Sequence, residues 1–292
     1  MKRNGLTFGF LAAVSWGLST VLTKWLLAEV EPLPLLTTQL LFSSLFVWLV
    51  LLAQHPEAMP IRRALKLSLP GLLQPGLAFV LATVGLSLTT ASCDTLIWAT
   101  ETIVVVVLSW AILHEQISLR LIALAVLGVF GTALATFTPG GGNVSILGNV
   151  LICIAVVAAS FYTISIKRQL DEVEPIRLFA LHQMSALALV IPIGFLVSPG
   201  GFHRYLRVES ILISFLTAVS GVMLFGLPFC LYMTTIRELG AARSALLLNL
   251  PPVVTLIGSF LFLGERLTWL QWIGAGGALI AVTGISLIKE KY

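Results

Sequence analysis

One carboxyl group sits where a carboxyl is hardest to keep. Glu101 falls about nine residues into a long apolar run, between Thr100 and Thr102. Polar groups inside lipid are costly, so such a residue asks for a reason. A charge there survives where a cation or a water-filled cavity stabilises it. Glu101 could relay protons or pair with the ammonium of a substrate. Equally, it could stay protonated and bond to a neighbouring helix. Gln39, Ser43, His182, Gln183 and Ser185 lie at matching depths of two further runs. His182 has a side chain that titrates near neutrality, or it serves as a hydrogen-bonding group between helices. Trp16, Phe79, Trp98, Tyr162 and Tyr232 are large rings deep inside runs, although Trp and Tyr favour the membrane interfaces. They could line a pocket for apolar or aromatic molecules, or fill a core. Thr20 stands one turn from Trp16 on the same face. Asn249 precedes Pro251-Pro252. Those prolines remove backbone donors and bend the run, which opens carbonyls to a ligand or makes a packing kink.

The elements that position these groups follow from composition. Hydrophobic residues make up 58% of the 292 and charged residues 10%, where a soluble domain carries roughly 25% charged. The chain cannot cover a water-facing surface, so its solvent is the lipid bilayer. A span needs about 20 apolar residues. Ten runs qualify: 6–27, 34–53, 65–88, 92–113, 119–137, 147–166, 176–197, 210–236, 242–263 and 269–288. They are continuous rather than alternating, so the expected fold is an all-α membrane protein, not a barrel. The first run is too long for a signal peptide and carries Trp16, and it reads as a retained helix. Cys93, Cys153 and Cys230 form neither a disulfide framework nor a metal spacing. No metal and no cofactor is expected. Pro139-Gly140-Gly141-Gly142-Asn143 lacks the context of a phosphate loop and reads as a linker.

The same pattern runs twice. Gly71, Gly76, Phe79, Ala91, Leu96, Val104, Ser109, Leu113 and Glu115 each meet an identical residue 150 positions on, from Gly221 to Glu265. Glu29-Val30-Glu31-Pro32 recurs as Glu172-Val173-Glu174-Pro175, offset by 143, and Lys24 recurs as Lys167. Residues 1–137 and 147–292 are therefore two five-helix repeats, joined by 138–146. An odd number of spans inverts the second copy. Inverted repeats are an architecture of secondary transporters, with the substrate at mid-membrane between the halves. Under the 143 offset Gln39 matches His182. Glu115 and Glu265 each end a span before a Ser or Thr, and they read as structural hinges.

Charge orients the chain. With both termini on one side, thirteen of the seventeen Lys and Arg residues share that side; Lys24, Arg204, Arg207 and Arg266 do not. The positive-inside rule makes that side cytoplasmic. The basic residues are scattered over short loops beside anionic lipid, so no nucleic-acid partner is expected. No ATPase motif is present to drive a pump.

Gly264-Glu265-Arg266-Leu267-Thr268, after a span with Pro251-Pro252, resembles the signature that ends the fourth helix of each EamA repeat. That repeat defines much of the drug/metabolite transporter superfamily. His114-Glu115-Gln116-Ile117-Ser118 is a degenerate first copy. Leu239-Gly240-Ala241-Ala242-Arg243-Ser244-Ala245, and less clearly Thr89-Thr90-Ala91-Ser92-Cys93, resemble the small-residue entry to that helix. The first copy departs from the pattern by carrying Glu101-Thr102 where a proline is usual. The resemblance implies ten helices, cytoplasmic termini, a central cavity and export of small metabolites. Length and mid-span Trp residues are similar to the amino-acid exporter branch. The reading is an inner-membrane secondary transporter, not an enzyme, working by alternating access on neutral or aromatic amino acids. Proton coupling and facilitated diffusion are both compatible with it. A monomer or weak homodimer is expected. A multidrug or nucleotide-sugar carrier is the alternative. A membrane-embedded enzyme is the more distant one, and its only nucleophile–base candidates, Glu101 and His182, share no helical spacing.

Overall fold

The computed structural model describes residues 3–88, 94, 97–136, 145–206, 211–262 and 268–284. Most of the linker, the 89–93 entry segment, Glu265 with the rest of 263–267, and the Lys24 side chain lie outside them. Among the described residues all regular structure is helical. Helices α1 (Arg3–Leu26) and α2 (Pro32–Ala53) open the first repeat. The third span comprises α3 (Ile61–Ser68), a 3-10 turn (Leu69–Leu72), a π turn (Leu73–Leu77) and α4 (Ala78–Leu88). Helices α5 (Glu101–Leu113) and α6 (Leu119–Thr136) follow. In the second repeat come α7 (Ile146–Leu170) and α8 (Pro175–Val197). Next are α9 (Ile211–Gly221), a π turn (Val222–Gly226) and α10 (Leu227–Leu239). Helix α11 (Ala241–Ala245), a 3-10 turn (Leu246–Asn249), α12 (Leu250–Phe262) and α13 (Trp269–Gly284) complete it. Among the described residues six helical stretches are long and apolar enough to cross a membrane, and shorter apolar ones lie at Ile97–Leu113 and Leu119–Leu134. Phe10, Leu45, Leu49, Trp110, Phe130 and Phe215 stand exposed around the outside. A surface so apolar is at home in lipid.

The third and eighth runs are not the continuous helices expected from their hydropathy. Each is broken by a π turn at nearly the same repeat position, Leu73–Leu77 and Val222–Gly226. Proline supplies a reason in the second copy. Pro228 has no N–H to give the carbonyls one turn back. Those carbonyls find donors on α1 instead: Ser15 Oγ donates to Met223 O at 2.7 Å and Trp16 Nε1 to Leu224 O at 2.8 Å. In the first copy Pro75 lies inside the π turn. Just before the break, Leu67 O accepts from His182 Nε2 at 2.9 Å, and Ser68 O accepts from Ser185 Oγ. Broken helices in lipid persist when neighbouring helices satisfy the freed backbone, and here the other repeat does so.

The repeats interlock. Helix α4 packs on α7, and α10 packs on α1, so the third span of each copy lies on the first span of the other. Gly85 touches Gly148 in one pairing; in the other the Thr235 hydroxyl donates to Gly5 O at 3.0 Å. Those residues correspond under the 150 and 143 offsets. Gly71 lies against the backbone of His182, and its counterpart Gly221 against the backbone of Gln39, the counterpart of His182. Equivalent residues thus meet equivalent residues across the two halves. Helices α2 and α8 pair, as do α6 and α13.

Candidate functional site

Five of the rings singled out from the sequence come together around a sixth. Phe229 on α10 stacks on Phe179 at 4.8 Å between centroids, and meets Trp16 edge-on at 5.4 Å, Phe79 at 6.1 Å and Tyr162 at 6.4 Å. Trp16 also meets Tyr232 at 5.4 Å, and Phe79 stacks on Trp98 at 6.0 Å. The cluster draws Trp16, Phe79 and Trp98 from the first repeat and Tyr162, Phe179, Phe229 and Tyr232 from the second. Edge-to-face and offset stacks are the preferred aromatic geometries. The Trp16 indole is fixed by its bond to Leu224 O, so the π turn of the eighth span aims it at Phe229 and Tyr232. The Thr20 hydroxyl donates to Trp16 O at 2.9 Å, one turn back along α1.

The arrangement is closed. Phe229 is 2% exposed, Tyr162 2% and Tyr232 5%. Trp16, Phe79 and Trp98 are half-buried. A molecule reaching these rings must part packed helices.

Polar groups fall into two sets. The first set ties helix to helix. Gln39 Nε2 donates to Ser220 Oγ at 2.8 Å and Thr23 Oγ1 at 3.0 Å. Ser43 accepts from Gln183 Nε2. His182 Nε2–H donates to Leu67 O, which can only accept; in the neutral ring Nδ1 therefore accepts from the Tyr162 hydroxyl at 3.2 Å. Asn249 Nδ2 donates to Thr102 Oγ1 at 3.2 Å and to Leu246 O at 3.0 Å, while Thr102 Oγ1 donates to Ala245 O at 3.1 Å. Pro251 and Pro252 cannot donate to Leu247 O and Leu248 O one turn back, and Leu247 O accepts from the Leu250 N–H instead. Gln39, Ser43, His182 and Asn249 are each at most 2% exposed.

The second set has acceptors to spare. Glu101 opens α5 and is 6% exposed. It lies near Tyr232, whose hydroxyl is buried without a hydrogen-bond partner. Asp94 accepts from the Trp98 side chain, and its Oδ1 is buried and unpaired. Asp94 escaped the sequence reading because it stands close to a span end. The spacing Asp94, Trp98, Glu101 follows one helical face and would have found it. Phe229 was legible as the repeat partner of Phe79. Phe179 and Phe225, which meets Phe79 at 4.8 Å, carried no such mark.

Two interlocked helical repeats, each with a broken third span, around a shared aromatic and acidic centre have the form of a membrane transporter. The EamA-like transporter family model matches residues 3–137 and 146–287. The chain belongs to that family, within the drug/metabolite transporter superfamily, and is a multi-pass membrane protein. It is similar to the uncharacterized transporter YvbV of Bacillus subtilis (strain 168), 27% identical over 99% of this chain and 92% of that one. It is also similar to the uncharacterized transporter YcbK of the same organism, 31% identical over 57% of this chain and 54% of that one, about half of that relative's length. A solved structure described as "Crystal structure of protein" superposes with a TM-score of 0.82 at 17% identity, covering 97% of this chain and 98% of that chain, and shares its fold.

Proposed function

We propose that this chain is a ten-span secondary transporter that exports small molecules bearing an amino group, neutral and aromatic amino acids foremost, across the inner membrane. The two five-helix repeats rock against each other around the aromatic cluster, so that it faces one side and then the other. The observation that carries this reading is the meeting of rings from both repeats beside the buried Glu101 and the unpaired Tyr232 hydroxyl. Rings take an apolar side chain, and a buried carboxyl takes an ammonium. Thirteen of seventeen basic residues on one side support cytoplasmic termini. A monomer already contains both halves of this centre.

Counterflow in proteoliposomes tests the reading. Labelled phenylalanine or tryptophan should exchange through the purified protein, with sugars and nucleobases left behind. Exchange of a nucleotide sugar without exchange of any amine or amino acid would replace it with the nucleotide-sugar alternative. A pH gradient imposed in the same vesicles separates proton coupling from facilitated diffusion.

A further inference from the structure

Helix α3, which opens the third span, is held on one side by the second repeat. Leu67 and Ser68 are buried. Their carbonyls accept from His182 and Ser185 on α8. Arg63, further round the helix, pairs with Glu172 at 3.4 Å. Just ahead of the helix, Arg177 Nη2 donates to Glu57 O at 2.6 Å. These contacts settle which way the rest of α3 faces.

Two stripes face outward, because each residue turns the helix by about 100°. Ile61, Leu65 and Leu69 form one, and all three are exposed. Arg62 and Lys66, each one position further on, form the second beside it, and both are exposed. The ion pairs described at this end of the bundle use Arg63, Lys167 and Arg237 instead. The third span runs for 28 residues, Ile61–Leu88. At 1.5 Å per residue that is about 40 Å, more than the hydrocarbon core of about 30 Å and close to the core plus its headgroup layers. The first turn of α3 therefore stands at headgroup depth. Side chains on a helix lean toward its N-terminus, so Lys66 reaches back to the same layer with its stem along the apolar stripe.

The second repeat supplies a comparison. Under the 150 offset Ile61 and Leu65 correspond to Ile211 and Phe215, which are also exposed. Arg62 and Lys66 correspond to Leu212 and Leu216. The apolar stripe is common to both copies, and the cations belong to one.

We propose that the start of the third span is a binding site for one anionic phospholipid. Its phosphate lies between Arg62 and Lys66, and its acyl chains cover Ile61, Leu65 and Leu69. Positions four apart on a helix have Cβ atoms about 6 Å apart, close enough for both cations to donate to one phosphate. A zwitterionic lipid carries its own cation into the same place. A soluble anion leaves the apolar stripe uncovered.

Native mass spectrometry of the purified full-length protein tests this, with phosphatidylglycerol and phosphatidylcholine of the same acyl chains as probes. The first phosphatidylglycerol should bind roughly tenfold more tightly than phosphatidylcholine. Arg62→Gln/Lys66→Gln should abolish that preference. Arg120→Gln/Arg168→Gln removes the same charge from exposed positions elsewhere and should keep it. If the first double variant is not monodisperse, Lys66→Gln is compared with Arg168→Gln, and only the former should lose preference. Equal loss in site and control variants would mean a general surface potential and would overturn the site. Equal binding of the two lipids by the unaltered protein would do the same. Displacement of phosphatidylglycerol by an equal concentration of inorganic phosphate would assign the cations to a soluble anion and would also overturn it.

Discussion

Glu115, just past the end of α5, accepts the backbone N–H of Ala241 at 2.9 Å, and its second oxygen accepts that of Ala242 at 3.0 Å. A carboxylate from the first repeat thus caps the start of the ninth span in the second. Charge at a helix N-terminus is favourable, and both N–H groups would otherwise lack a partner. Gly240, directly before them, has φ +83°, and a Cβ there would come within 3.0 Å of Glu115 Oε1. The hinge expected at this glutamate is a bridge between the two halves. Its repeat counterpart, Glu265, lies outside the described residues.

Removing that bridge should loosen the end of the bundle where it sits. Glu115→Ala should cost about 1–2 kcal/mol and lower the thermal midpoint in detergent. Glu115→Gln, which keeps one acceptor, should recover part of the loss. An unchanged midpoint in Glu115→Ala would show that water caps these N–H groups equally well.

The glycine pair tests the interlocked packing. A methyl group at Gly71 or Gly221 would strike the backbone of His182 or Gln39, and backbone cannot swing aside as a side-chain tip can. Gly71→Ala and Gly221→Ala should each destabilise by about 1–3 kcal/mol, by similar amounts because the sites are equivalent. Gly276→Ala on α13, where nothing lies within 4 Å, is the control and should be neutral. Expression and monodispersity in detergent report the outcome. A large effect in one repeat with none in the other would contradict the equivalence.

Trp98 joins the ring cluster to its acidic face. Trp98→Ala removes the stack on Phe79 and the donor to Asp94. Transport of large aromatic substrates should fall more than that of small ones, since lost ring contact scales with substrate size. Equal loss for every substrate would assign Trp98 to packing alone.

Sidedness is open to labelling. Arg63–Glu172 at 3.4 Å, Arg237–Glu174 at 3.0 Å and Arg177 Nη2 to Glu57 O at 2.6 Å gather segments 54–64, 167–175 and 237–242 at one end. The positive-inside rule leads us to expect that end in the cytoplasm. Single cysteines at 138–146 and 198–209 should then react with a membrane-impermeant maleimide in intact cells, and one near residue 60 should not. Strong external labelling near residue 60 would invert the orientation.

Much of this architecture was readable before any coordinates, because span length and repeat offset are one-dimensional signals. The correspondence of Gln39 with His182 emerged from a 143-residue shift and reappears as matching contacts with Gly221 and Gly71. The helix breaks were harder to see. A π turn at Val222–Gly226 depends on Ser15 and Trp16 supplying donors from roughly two hundred residues away, and hydropathy has no term for that. Ring identities were legible one by one, but their meeting point at Phe229 depends on which faces the two repeats turn toward each other. Asp94 shows a different shortfall: attention to depth hid a carboxyl whose helical spacing from Trp98 and Glu101 was plain.

The exchange of first and third spans has a practical corollary for dissecting the protein. Severing the polypeptide within 138–146 would divide the sequence without dividing the structure. Neither fragment would keep a complete core, since α4 leaves its bed on α7 and α1 its bed on α10. The two fragments should be proteolysed when produced singly and rescued when produced together. Domain-by-domain expression, a routine strategy for modular proteins, is therefore the wrong tool here, whereas complementation of split halves should be a sensitive reporter of assembly.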